Sequence, residues 1–175
     1  MTERRARRTL TERRQGEARQ ATARQATARQ ATARRAGDQQ LGAALAAEEA
    51  AIYAYGTLGV HLSGSDRELA RTAEADHRTR RDRLVAKLDQ LKASPAPAPA
   101  GYDLPFPVAD RASALKLAVH IEDGVAQAWS AAVGATTGAD RDTALSALSA
   151  SAVQATKWRK RAAMTPVTMA FPGRT

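Results

Sequence analysis

The stretch LGAALAAEEAAIYAYGTLGVHL, residues 41–62, decides the fold, because its mostly apolar residues recur at alternating steps of four and three. Steps of this kind keep side chains on one face of an α-helix. The predicted face consists of Leu41, Leu45, Glu48, Ile52, Tyr55, Gly59 and Leu62. A carboxylate, Glu48, stands where an aliphatic residue is expected. The stretch therefore predicts a core-facing helix that carries a buried polar group.

The same spacing occurs in two later segments. One contains Ala70, Glu74, His77, Arg81, Leu84, Leu88 and Leu91, and the other contains Leu115, Val119, Glu122, Ala126, Trp129 and Val133. Glu48, Glu74, His77 and Glu122 should therefore all point into the interior of one bundle. A fourth helix completes the bundle but lacks a matching ligand.

The fold class is predicted to be all-α, a four-helix bundle. The first three helices are expected at about 38–62, 66–93 and 110–135, and the fourth runs from the turn at 136–139 to about 163. Asp38 and Asp110 are the expected N-caps. Short turns make helices one and two, and three and four, antiparallel pairs.

The connection between helices two and three is sixteen residues long, from Ser94 to Ala109, and contains five prolines. At about 3.1 Å per residue in extended form it reaches roughly 50 Å, whereas a helix of about 25 residues is roughly 38 Å long. It can travel the full length of the bundle. This predicts one long crossover between helices two and three.

The charge is concentrated at the N-terminus. Residues 1–36 contain 11 Arg and 3 Glu, a net charge of +8 out of +9 for the whole chain. We expect three regions: a basic low-complexity arm at 1–36 that is disordered or loosely helical, a bundle at 37–165, and an irregular tail at 166–175.

Within the arm an Ala-Arg-Gln-Ala-Thr unit repeats, so that arginines recur every five residues at Arg19, Arg24, Arg29 and Arg34. They spiral around any helix that forms, and no apolar face is left to dock it. One hypothesis is a solvated tail. A second is association with nucleic acid or another polyanion, without base-specific readout because no aromatic residue interleaves. A mis-assigned translation start is a third.

Composition excludes several classes of function. The chain has no cysteine, which rules out disulfides, Cys-ligated zinc, iron–sulfur clusters and thiol catalysis. It has no Gly-rich phosphate loop and no serine with a plausible His–acid pairing, so we expect no catalytic residues of these kinds. No apolar run suits a signal peptide or a membrane span, so a cytoplasmic location without membrane contact is expected.

The pattern Glu74-x-x-His77, with single glutamates at Glu48 and Glu122, resembles the ferritin-like carboxylate metal proteins. More closely, the chain is similar to a family of uncharacterised bacterial ferritin-like proteins known as a domain of unknown function. The resemblance lies in residues 45–56, 76–84, 102–108 and 157–159 and covers roughly 37–173. It implies a ferritin-like fold but no established activity.

The chain departs from the two-metal pattern on helix four, where the Glu-x-x-His position is occupied by Ser151-x-x-Gln154. Glu48, Glu74 and His77 could still hold one iron or manganese ion, with Glu122 bridging to a second. This leaves a metal-binding oxidoreductase or storage protein as one hypothesis. The arm leaves polyanion association as another.

We favour a degenerate site without a cofactor, because buried carboxylates need a counter-charge that the chain itself can supply. Arg81 lies on the same helix face as His77, and Tyr55 and Gln154 can add hydrogen bonds. The favoured function is then a non-catalytic binding or structural module. Its partner is an unknown protein or further copies of the chain.

Overall fold

The computed structural model describes the backbone of residues 2–174 and the side chains of residues 19–174. Four helices and no strands form within this range: α1 (Thr2–Gly59), α2 (Gly64–Gln90), α3 (Arg111–Ala135) and α4 (Gly138–Arg161). The all-α prediction is confirmed, and the four helices are consistent with a bundle. The chain divides into two compact units, residues 1–36 and 37–175.

The first unit is helical, and every side chain from Arg19 to Ala36 is exposed. Ala, Arg and Gln are good helix formers, and no residue in the repeat interrupts them. The hydroxyls of Thr27 and Thr32 donate to the carbonyls of Ala23 and Ala28, one turn earlier.

The predicted start of the first helix at Asp38 is wrong. Asp38 lies inside α1, which begins at Thr2. An aspartate caps a helix only where the backbone before it is non-helical, and here the preceding residues favour a helix themselves.

The core of the second unit is built mainly from alanine and leucine, together with two tryptophans, a tyrosine and two valines. Small residues let the helices approach closely, and α3 packs directly against α4. Four positions of the predicted core-facing side of the first helix are buried: Leu41, Leu45, Tyr55 and Leu62. The largest fully buried side chains are Trp129 and Trp158.

The start of α3 confirms one predicted cap. The carboxylate of Asp110 accepts a hydrogen bond from the backbone N–H of Ser113, and the backbone N–H of Asp110 donates to the Ser113 hydroxyl. These reciprocal bonds form a capping box. The hydrogen bond that the Ser113 hydroxyl donates to the carboxylate, followed by the one from the Ser113 backbone N–H, lowers the pKa of the Asp110 carboxyl.

Residues 162–174 form turns and bends and contain no helix or strand. Gly173 lies against α3 with a φ of +75°, and a Cβ at this position would stand 2.5 Å from the carbonyl oxygen of Ala126. Only glycine fits that approach. None of the helices within residues 2–174 is long and apolar enough to cross a membrane.

Candidate functional site

Three ionisable side chains meet in the interior of the second unit. Glu48 from α1 and His77 from α2 are 0% exposed, and Glu122 from α3 is 1% exposed. Each stands in the middle of an otherwise apolar helix face, so helix packing carries it inward. The three residues are among the four that the sequence singled out for a polar layer.

His77 lies between the two carboxylates. Its Nδ1 is 2.6 Å from Oε2 of Glu48, and its Nε2 is 3.2 Å from Oε1 of Glu122. Burial acts to lower the pKa of the imidazole, but the hydrogen bonds and charges of Glu122 and Glu48 outweigh it, so the pKa is raised above its ordinary value. The protonated ring can donate to both carboxylates at once.

Arg80 supplies the second cation. Its Nε donates to Oε1 of Glu48 at 2.6 Å, and the side chain is only 16% exposed. Its Nη2 also lies 2.7 Å from Nδ1 of His77. With the ring protonated, Nη2 and Nδ1 both carry hydrogen, and this is a close contact between two donors. Each side chain bonds to a different oxygen of Glu48, Arg80 through Nε to Oε1 and His77 through Nδ1 to Oε2.

These neighbours decide the ionisation of Glu48. Burial acts to raise the pKa of its carboxyl, but His77 and Arg80 outweigh it and the pKa lies below its usual value. With His77 protonated, two carboxylates, one imidazolium and one guanidinium carry no net charge. The buried layer is therefore balanced by the chain's own side chains.

Three aromatic side chains complete the network. The indole N–H of Trp129 donates to Oε1 of Glu48 at 2.7 Å. The hydroxyl of Tyr55 donates to Oε1 of Glu122 at 2.6 Å and accepts from the indole N–H of Trp158 at 2.7 Å. Burial, followed by the charge of Glu122, raises the pKa of Tyr55 well above its ordinary value, so it stays a donor.

The remaining predicted site residues lie elsewhere. Glu74 is partly exposed and pairs with Arg78 one turn later at 2.6 Å, so it does not join Glu48, His77 and Glu122. Gln154 accepts from Lys157 at 3.3 Å and makes no bond to the three buried ionisable residues.

Arg81 does not enter the network either, and this part of the prediction needs correction. Its Nε pairs with Asp82 at 2.6 Å, while its neighbour Arg80 reaches Glu48. A helical side chain leans toward the N-terminus of its helix. A residue three positions after His77 therefore folds back to the level of the imidazole.

The sequence pattern places Trp129 on a core face but predicts no hydrogen bond for Trp129 or Trp158. Both lie on core faces, and both indole N–H groups need acceptors once buried. A tryptophan at a core position therefore already indicates, from sequence alone, a buried hydrogen bond from its indole N–H. Which acceptor each indole finds depends on the alignment of neighbouring helices, which the sequence does not show.

Three polar atoms near the network have no hydrogen-bond partner among the described residues: Oε2 of Glu122, Oγ of Ser151 and Nε2 of Gln154. Within residues 19–174 no group of three or more His, Asp or Glu side chains is arranged to hold a metal ion. The arginines of the arm, Arg19, Arg24, Arg29 and Arg34, are exposed within the first unit.

Comparison with known proteins identifies a family but no activity. The family described as Domain of unknown function (DUF4439) matches residues 40–175. The crystal structure of a conserved hypothetical protein, rv2844, from Mycobacterium tuberculosis is similar, with 38% identity, a TM-score of 0.72, and coverage of 80% of this chain and 99% of that chain. A search of curated proteins gave no match.

Proposed function

The chain belongs to this family of unknown function, and from its own residues we propose that it is a non-catalytic binding or structural module. In this proposal the fold is a ferritin-like four-helix bundle. Its carboxylate layer is a degenerate metal site in which side-chain cations take the place of metal ions. We place the protein in the cytoplasm.

Contacts between α1 and α3 support the ferritin-like topology. Glu48 meets Trp129, and Tyr55 meets Glu122, so the residue number rises along one helix as it falls along the other. The two helices then run antiparallel. Since the short turn at 60–63 makes α1 and α2 antiparallel as well, α2 and α3 are parallel and need a long crossover.

The path of residues 91–110 supports the same topology. Pro95 lies beside Gly42, and the ring of Tyr102 lies 5.4 Å from the ring of Tyr53. The connection therefore follows α1 over about three turns. Arg111, at its end, pairs with Asp66 at the start of α2, where a crossover would deliver it.

The observation that carries the functional proposal is the charge balance around His77. A ligand histidine offers a lone pair to the metal, but both nitrogens of His77 face carboxylate oxygens at hydrogen-bonding distance. Arg80 already contacts the carboxylate of Glu48. A divalent ion would have to displace a cation that the chain holds in place.

The alternative, an iron- or manganese-dependent oxidoreductase or storage protein, fits these residues poorly. Glu74 turns away from the other candidate ligands, and α4 offers only the hydroxyl of Ser151 and the amide of Gln154. Two-metal sites of this class need a carboxylate and an imidazole from that helix. The available metal-ligating side chains therefore argue against a site that holds two metal ions.

Metal content tests the proposal. We would express the full chain and its His77→Ala variant in medium supplied with iron and manganese, purify both without chelator, and measure bound metal by plasma mass spectrometry. The proposal predicts far less than one ion per chain in both proteins. One or more ions per chain in the wild type, lost in the variant, would establish a metal centre.

A second candidate function rests on the arm. Its repeat places exposed arginines all around a helix, which favours contact with the phosphates of a nucleic acid or with another polyanion.

The second unit carries exposed apolar side chains, among them Val60, Leu145 and Val153. These side chains could contact an unknown protein partner or further copies of the chain.

A further inference from the structure

The helix α4 has a long uncharged segment with exposed apolar side chains. Residues 143–156 contain no Asp, Glu, Lys or Arg, so about four turns of the helix carry no charged side chain. In α2, by contrast, Arg71, Arg78 and Arg83 are all exposed. Leu145 and Val153 lie in the uncharged segment and are 52% and 54% exposed. Exposed aliphatic side chains without charged neighbours are typical of the centre of a protein interface.

The side of α4 that points away from the core forms one continuous line. The core side includes the buried residues Ala147, Ser151 and Trp158. On the opposite side, steps of four, three, four, three and four residues join Asp142, Ser146, Ser149, Val153, Thr156 and Lys160, which we call the outer face of α4. All are exposed except Thr156, which is partly buried. This spacing keeps them on one side along about 27 Å of helix. Since the steps are the same read from either end, two outer faces match each other when they run antiparallel.

The hydroxyl groups of the outer face are already satisfied within the helix. Ser146, Ser149 and Thr156 each donate a hydrogen bond of 2.9 Å to the backbone carbonyl one turn earlier. A hydroxyl that donates within its own helix can be covered by a partner without leaving an unsatisfied donor. The outer face can therefore be removed from water at little cost in lost hydrogen bonds.

Unpaired charges of opposite sign stand at the two ends of the outer face. Asp142 and Lys160 are exposed, and neither has an ion-pair partner among residues 19–174. The charges beside them, Asp140 and Arg161, already pair with α2. In an antiparallel pair of α4 helices, Asp142 of each copy lies opposite Lys160 of the other, whereas a parallel pair would bring like charges together. Charge complementarity thus selects a second copy in the antiparallel orientation.

We propose that the outer face of α4 binds a second copy of this chain, as an antiparallel helix pair about a two-fold axis. Ser149 then lies opposite Val153 of the second copy, and Asp142 lies opposite Lys160 of the second copy. This inference rests on the proposed function, because it names the partner of the binding or structural module. One helix pair is smaller than a standard interface, so we expect a dissociation constant on the order of 10 to 100 µM.

Sedimentation equilibrium of the full chain, from about 1 to about 500 µM, measures this self-association. Val153→Arg places a charge near the two-fold axis and should weaken association at least about tenfold. Val85→Arg is the matched control, because Val85 lies on α2, is 48% exposed and is not part of the outer face. It should leave the dissociation constant unchanged. Circular dichroism of both variants checks that they are folded.

A charge exchange tests the antiparallel orientation. Asp142→Lys places two lysines opposite each other at both ends of the interface, and Lys160→Asp does the same with two aspartates. Each should weaken association about tenfold at low salt. The double variant restores opposite charges and should bind to within about twofold of the wild type. If the two residues acted only on the stability of α4, the double variant would bind no better than either single variant.

Protein that stays monomeric at every concentration would overturn the inference, as would a dimer that Val153→Arg leaves unchanged. A double variant weaker than both single variants would overturn the antiparallel arrangement. These outcomes leave the proposed function standing, since metal content is measured separately. Stoichiometric metal in the same protein would instead contradict the proposed function, whatever its state of association.

Discussion

At the scale of single residues, two carboxylates are buried away from water and are surrounded by hydrogen-bond donors. Glu48 accepts from Arg80 and Trp129 and faces His77, and Glu122 accepts from Tyr55. Each isolated charge would lose several kcal/mol of hydration on burial, so the donors are a condition of folding.

The raised pKa of His77 and the lowered pKa of Glu48 predict how stability depends on pH. A raised pKa contributes stability that is complete below the unfolded-state value, about 6.5, and is lost as the pH rises through the folded-state value. The lowered pKa of Glu48 contributes stability above about 4.5, lost as the pH falls. Stability should be greatest between these values.

The measurement is urea unfolding of the wild type and His77→Gln at several pH values above 6.5. We expect the unfolding free energy of the wild type to fall by up to about 1.4 kcal/mol per pH unit relative to the variant, since the folded state holds one more proton. If the unfolding free energies of the two proteins change with pH by the same amount, His77 is neutral in the folded state.

The polar layer was only partly predictable from these residues. Helical spacing alone places Glu48, His77 and Glu122 inside, because each replaces an aliphatic residue on a core face. It does not separate Arg80 from Arg81. That choice depends on side-chain direction and on where Glu48 of the neighbouring helix lies, which is tertiary information.

At the scale of helices, the two predicted caps show what local sequence can decide. Asp110 follows a proline-rich segment that cannot continue a helix, so its carboxylate meets free N–H groups of the first turn. Asp38 follows Arg34-Arg35-Ala36-Gly37, and the helix that contains the Ala- and Arg-rich repeat continues through it. The residue type is the same, and the preceding backbone decides its role.

This contrast gives a paired prediction. Asp110→Ala should lower the midpoint of thermal unfolding by about 3 °C, because it removes the cap of α3. Asp38→Ala, inside α1, should leave the midpoint unchanged or raise it slightly, since alanine is the better helix former. The check is circular dichroism of both variants, and an equal loss at the two positions would refute the assignment of the caps.

At the scale of the whole molecule, charge and core belong to different parts of the sequence. Residues 1–36 carry a net +8, and the remaining residues carry nearly none. Exposed arginines without apolar companions contribute little to a core but much to polyanion binding.

Replacing Arg19, Arg24, Arg29 and Arg34 together by glutamine should weaken binding to double-stranded DNA and reduce the salt dependence of the affinity. If all four contact phosphates, the slope of log affinity against log salt falls by about 3 to 4. Fluorescence anisotropy with a labelled duplex measures both quantities. The matched lysine variant keeps the charge and should bind nearly as the wild type does, whereas an unchanged slope in the glutamine variant would exclude these arginines.

Arg80 supplies the buried positive charge beside Glu48. The most direct test is the unfolding free energy of Arg80→Met and of Arg81→Met, two neighbouring arginines with different partners. We predict a loss of about 3 kcal/mol for Arg80→Met, which leaves Glu48 without its guanidinium, and a change of about 0.5 kcal/mol or less for Arg81→Met. Equal effects of the two substitutions, or a larger loss at Arg81, would contradict the account.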